Sequence, residues 1–240
     1  AISVFKKIVK LAPSKEKYGI ILASIINELG RQALDENQFT IALRYFLDCL
    51  DIVPNSSLYF YNSGLSYYGS GDLNNAKKAF QEAIGLQPDY LEAISNLGVV
   101  YKDFGKFNTA FDLFDKALSI NPKHSTTLYN KAVTLGKIGK FEDALVYYKK
   151  ALIEKPHHID SYVNMAMAYH ELGEVFKSIK VLKEAKKINK DHSMVLHNWS
   201  LQNLIIGNFK EGWEKHEYRW KNEPQVNVRW PIQDRELWRG

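Results

Sequence analysis

The chain has 240 residues, 45% hydrophobic and 25% charged, with a net charge of +5, the profile of an ordinary folded domain. Its one cysteine, Cys49, excludes an internal disulfide framework, and no apolar run approaches the roughly 18 residues that would span a bilayer. The 32 basic and 27 acidic residues are interspersed, as on solvated helix faces, which argues against a nucleic-acid stripe.

In chain order, Ile2, Phe5, Ile8, Val9 and Leu11 have helical spacing and stop before Pro13. Residues 1–22 therefore read as a helical fragment of a truncated preceding element, with Ser14–Leu22 leading into the first full unit and lengthening its first helix. The stretch Gly19–Ile26 is the most apolar, and Asn27, Glu28 and Arg31 close it. A start at Ala1-Ile2 reads as a cut. No signal peptide is visible, and with a lone thiol a cytoplasmic location is expected.

From there a period of 34 residues takes over. Pro54, Pro88, Pro122 and Pro156 keep it, and Pro224 lies two periods further on. Gly71, Gly105, Gly139, Gly173 and Gly207 keep the same spacing. Two breakers in one phase mean a repeat, and this period belongs to arrays of helix pairs. The units are 23–56, 57–90, 91–124, 125–158, 159–192 and 193–226. Position 8 is small (Gly30, Gly64, Gly98, Ala132, Ala166, Ser200), so two helices can cross closely there. Position 20 matches it with Ala42, Ala76, Ala110, Ala144, Ser178 and Gly212. Position 24 is large (Phe46, Phe80, Phe114, Tyr148, Leu182) and is expected to fill the space between repeats. Glycine at position 15, with Asn37 in the first unit, is placed as the residue of positive φ after the first helix. Proline at position 32 stops the second helix. Lys190 replaces it in the fifth unit, where looser termination is expected.

The run Leu91-Glu92-Ala93-Ile94-Ser95-Asn96-Leu97-Gly98-Val99-Val100-Tyr101, with Gly105-Lys106-Phe107, Ala110, Phe114, Ala117 and Pro122, resembles the tetratricopeptide repeat (TPR) family. The resemblance covers about residues 23–226. It implies an all-α, right-handed superhelix of six units whose first helices line a concave groove, and a role in binding proteins or peptides. Positions 2, 5, 6, 9, 12 and 13 would face that groove. Position 6 carries Asn62, Asn96, Asn130, Asn164 and Asn198, with Glu28 in the first unit. An amide offers both a donor and an acceptor, so such a ladder could pair with an extended peptide backbone, or equally bond the neighbouring repeat. Substrate-gripping ladders of this kind are implied by the likeness to the repeat arm of O-linked N-acetylglucosamine transferase. Around the ladder stand Tyr61, Tyr68, Lys102, Tyr129 and His170, over an apolar floor of Leu65, Val99, Val133, Met167 and Leu201. Positions 2, 5 and 6 lack lysine and arginine, which argues against an acidic C-terminal motif as ligand.

All five tryptophans lie in the last 42 residues. Trp199, Trp213 and Trp220 are expected to cap the array, since its last apolar face needs covering. The string from Gly207 to Trp220, then Trp230-Pro231 and Leu237-Trp238-Arg239-Gly240, is similar to the junction of bacterial proteins that fuse such arrays to a glycosyltransferase-like domain. That resemblance makes residues 227–240 a tail or linker and gives an alternative reading: the recognition arm of a larger transferase. The exposed array ends offer a route to self-association.

No catalytic constellation, phosphate-binding loop or metal-ligand spacing stands out. His157-His158 are adjacent and diverge. His192 and His197 straddle a helix start. Cys49 sits at a small-residue position, as a buried inert thiol would. No cofactor and no membrane or nucleic-acid partner are expected.

Overall fold

The structure, a computed structural model, describes residues 15–216. These form twelve helices and, among the described residues, no strand. They run α1 (Lys15–Asp35), α2 (Phe39–Ile52), α3 (Ser57–Gly69), α4 (Leu73–Leu86), α5 (Leu91–Asp103), α6 (Phe107–Ile120), α7 (Ser125–Lys137), α8 (Phe141–Glu154), α9 (Ile159–Glu171), α10 (Val175–Ile188), α11 (Ser193–Ile205) and α12 (Phe209–His216). The stretch before Ala23 lengthens the first helix, as α1 starts at Lys15.

Each odd-numbered helix packs on the next even-numbered one, and each even-numbered helix packs on the first helix of the next pair. Contacts between first helices recur (α1 with α3, α5 with α7, α7 with α9, α9 with α11), and second helices show no comparable approach. First helices therefore crowd on the inner side and second helices spread on the outer side, the arrangement of an all-α solenoid.

The turn inside each pair has one chemistry. Gly71, Gly105, Gly139, Gly173 and Gly207 have φ between 73° and 84°, and Asn37 takes φ 58°. After α3 the Asp72 N–H donates to the Tyr67 carbonyl and the Gly71 N–H to the Tyr68 carbonyl. This double return saturates carbonyls that the helix end would otherwise orphan. The same two bonds recur at Gln38/Asn37, Lys106/Gly105, Lys140/Gly139, Glu174/Gly173 and Asn208/Gly207.

Two packing expectations change. A Cβ placed on Gly30, Gly64 or Gly98 would meet the ring of Phe46, Phe80 or Phe114 at 2.5–2.6 Å. The large position-24 residue thus presses on the small position-8 residue of its own pair, where the sequence reading put it between repeats. The two positions vary together: Gly faces Phe in the first three pairs, and alanines stand at position 8 where the fourth and fifth carry Tyr148 and Leu182. Termination at Lys190 is not looser either. α10 ends at Ile188, with Asn189 extended and its N–H on the Ala185 carbonyl, just as α4 ends at Leu86 ahead of Pro88 with the Gln87 N–H on Ala83. The Asn189 side chain accepts from the Asp191 N–H at 3.1 Å and holds the turn without proline.

Candidate functional site

The position-6 asparagines lie on the first helices, and four of the five amides have a partner. Asn62 Nδ2 donates to Asn27 Oδ1 at 2.8 Å, Asn96 Nδ2 to the Tyr61 hydroxyl at 3.1 Å, and Asn164 Nδ2 to the Tyr129 hydroxyl at 2.9 Å. Each bond reaches back 35 residues, from position 6 of one unit to position 5 of the unit before. Where position 5 offers no such acceptor, the amide does something else. Before Asn198 it is apolar Val163, and Asn198 Nδ2 turns to the Met194 carbonyl of its own helix at 2.9 Å. Before Asn130 it is Ser95, whose short hydroxyl already accepts from Thr127 Oγ1 at 2.9 Å. Asn130 is half-buried, and its side chain makes no hydrogen bond among the described residues.

The tyrosines at position 5 are hubs. Tyr61 lies 5.0 Å from the Tyr90 ring and 5.9 Å from Phe80, centroid to centroid. Tyr129 repeats this with His158 edge-on at 4.8 Å and Tyr148 at 6.1 Å. Such tilted and edge contacts suit the ring quadrupoles. Burial, helped by the nearby Tyr90 and Glu92, pushes the Tyr61 phenol up to about 12. Tyr129 shifts the same way, through burial first and the charge of Asp160 second.

Tyr68 and Lys102 meet through a residue that the sequence reading passed over. The Tyr68 hydroxyl donates to Asp103 Oδ2 at 2.8 Å, and Lys102 Nζ stands 3.2 Å from Asp103 Oδ1. Burial and then this bond push Tyr68 up to about 12. His170 is exposed at the equivalent position two units past Lys102, and Met167, one turn before it on α9, is 45% exposed.

A second missed signal is a column of histidines at position 34, one residue before α7, α9 and α11. His124 Nδ1 accepts from the Thr127 N–H at 3.3 Å, and His158 Nδ1 pairs with Ser161 Oγ at 2.8 Å. Burial holds the His124 imidazole below its usual range. The 34-residue spacing of His124, His158 and His192 is the sequence signal of this column. Among the described residues no group of three or more His, Cys, Asp or Glu side chains could hold a metal ion. Cys49 is buried, with Sγ donating to the Ala23 carbonyl at 3.2 Å.

The tryptophans separate. Trp199 is buried with Val181, Leu182, Ala185 and Val195, and Lys186 Nζ lies 4.3 Å above its ring, so it serves the junction of the fifth and sixth pairs. Trp213, on α12, is 55% exposed. Trp220 and residues 227–240 lie outside the described residues.

Sequence profiles of the tetratricopeptide repeat match residues 58–90, 89–152 and 137–197. The chain is a tetratricopeptide repeat protein. Solved TPR-type structures share its fold at low identity. PilW, a type IV pilus biogenesis factor, superposes with TM-score 0.75 at 19% identity over 84% of this chain and 93% of its own. Pseudomonas aeruginosa pilF does so with TM-score 0.70 at 13% identity, covering 80% and 88%. YrrB, described as a TPR protein with an unusual peptide-binding site, gives TM-score 0.57 at 20% identity, covering 82% and 98%. No curated protein sequence matches the chain. No helix among the described residues of this TPR array is long and apolar enough to cross a membrane.

Proposed function

We propose that this TPR array is a scaffold that holds a peptide segment of a partner protein against its first-helix face. TPR membership supports a protein-interaction role in general and a non-catalytic chain. The finer reading rests on Asn130. Its amide sits at mid-array on the inner side, uncommitted, where Asn62, Asn96 and Asn164 are tied to the preceding unit. An uncommitted amide can pair with one peptide unit of an extended chain. Met167 and His170, on the first helix of the next unit, add apolar contact and a polar tip. The tied amides hold neighbouring units in register.

Peptides selected from a random library on the purified chain test this reading. Titrating the tightest binder against Asn130→Ala should raise Kd at least about tenfold, a loss of roughly 1.4 kcal/mol, with helicity and melting unchanged. The triple change of Asn96, Asn130 and Asn164 to alanine should abolish binding. Unchanged affinity in the triple variant at retained helicity sinks the groove reading. The transferase-arm alternative rests on the sequence from Gly207 to Gly240. Reading the parent frame beyond Gly240 decides it: an α/β module with a nucleotide-sugar site supports it, and an immediate stop codon removes it.

A further inference from the structure

A cleft of about 180 Å³ opens between α2, α3 and α4, lined by Leu47, Leu50, Phe60, Ser63, Tyr67 and Ala79 and rimmed by Asn75, Lys78 and Glu82. Phe60, Ser63 and Tyr67 share one face of α3. That face lies two residues, roughly 160° around the helix, from the face that carries Asn62, Leu65 and Gly69. The cleft is thus on the second-helix side of the array, away from the proposed groove.

It exists because two positions are small together. Position 7 on the first helix and position 23 on the second carry Ser63 and Ala79 here. In the next pair they are Leu97 and Leu113, packed in one apolar cluster. In the fourth pair they are Lys131 and Tyr147, with Lys131 Nζ 4.6 Å above the ring. In the fifth they are Met165 and Val181, both buried. Only small side chains meet in the second pair, and space remains.

The floor of that space is polar in one atom. Ser63 is 1% exposed, and its Oγ has no hydrogen-bond partner among the described residues. A buried hydroxyl left unpaired is costly, and leucine fills the same position one unit later at no such cost. We propose that this cleft is a second binding site that takes one tyrosine side chain of a partner protein, its ring between Leu47, Leu50 and Phe60 and its phenol oxygen on Ser63 Oγ. An aromatic ring matches the apolar walls, and aromatic anchors in pockets are how protein partners fasten. The lone hydroxyl at the floor asks for a polar atom at the tip of the ring, which phenol has and phenyl lacks. Both Ser63 and a phenol can donate and accept. Lys78 and Glu82 give the mouth both signs of charge, suited to a polar polypeptide and unsuited to an anionic lipid surface.

NMR titration of the whole chain with p-cresol, and in parallel with toluene, tests the proposal through the methyl signals of Leu47, Leu50 and Ala79. Saturable shifts are expected for both, with p-cresol bound about fivefold tighter, the effect of one hydrogen bond. Ser63→Ala should bring the two to parity. Ala79→Leu, which copies the next pair, should abolish both. Absence of saturable shifts at these methyls overturns the site, as does binding unchanged in a folded Ala79→Leu chain. Equal binding of toluene and p-cresol to the unaltered chain, or a preference that survives Ser63→Ala, overturns the tyrosine assignment. Should Ala79→Leu fail to fold, the Ser63→Ala ratio still decides.

Discussion

The second and fourth helix pairs are alike on one face and opposed on the other. On the inner face Tyr61 and Tyr129 play the same part: each packs against its own second helix and against the last residue of its own unit, and each accepts an asparagine from the next unit. On the outer face the second pair leaves a cleft over a lone hydroxyl, and the fourth fills the same place with Lys131, held by Asp115 and the Tyr147 ring. The inner positions are constrained because each must serve two units at once. The outer positions serve a gap that any well-packed pair of side chains closes, so they are free to diverge.

The largest expected effect tests what the two pairs share beneath both faces. Phe80→Ala removes a fully buried ring from the helix crossing and should cost about 3–5 kcal/mol in chemical denaturation. The complementary change Gly64→Ala should cost about 1–3 kcal/mol, because its Cβ would meet Phe80 at 2.6 Å inside a closed core. Ala132→Gly, the reverse swap in the fourth pair, should cost about 1 kcal/mol of helix propensity. A neutral Gly64→Ala would show that the crossing can yield, and would weaken the coupling of positions 8 and 24.

Next come the hubs. Tyr61→Phe and Tyr129→Phe should each lose about 0.5–1.5 kcal/mol, the worth of one hydrogen bond, and the two losses should be similar. Unequal losses would break the likeness of the inner faces. Because burial raises the folded Tyr61 phenol to about 12 from an ordinary 10.0, the folded state keeps its proton where the unfolded chain has lost it. That stability is fully present below pH 10 and should fade as pH climbs toward 12. An alkaline melting series on Tyr61→Phe should show a shallower decline than the unaltered chain.

On the outer face, Asp115→Ala removes the carboxylate partner of Lys131, whose side chain is only 10% exposed. A loss of about 1 kcal/mol is expected, moderated by solvent at the exposed carboxylate. Lys131→Leu, which copies the third pair, should be neutral or stabilising, as well-packed apolar groups often replace a buried ion pair. The smallest effect is Ala79→Leu, a cavity-filling change worth about 0.5–1 kcal/mol of added stability in thermal melts. Loss of stability there would mean the cleft is narrower than its lining implies.

The fold was legible because breakers and small residues recur in one phase. Gly71 and Gly105 announce the turn geometry in their own identity, since that backbone suits glycine. The site was legible only as positions. Asn62, Asn96, Asn130, Asn164 and Asn198 read as equivalent, yet their roles depend on the residue 35 positions earlier, and nothing in a single unit shows that reach. Asp103 carries no signal of its own in the sequence, and only the fold brings Tyr68 and Lys102 onto it.

By itself, then, the sequence determined the all-α repeat and its period, because helix ends and close crossings are local demands written in glycine, alanine and phenylalanine. Only the tertiary structure decided which amide stays uncommitted and where the outer face remains open. Both depend on pairs of side chains from different helices, and whether they reach each other is a matter of distances that no local pattern encodes.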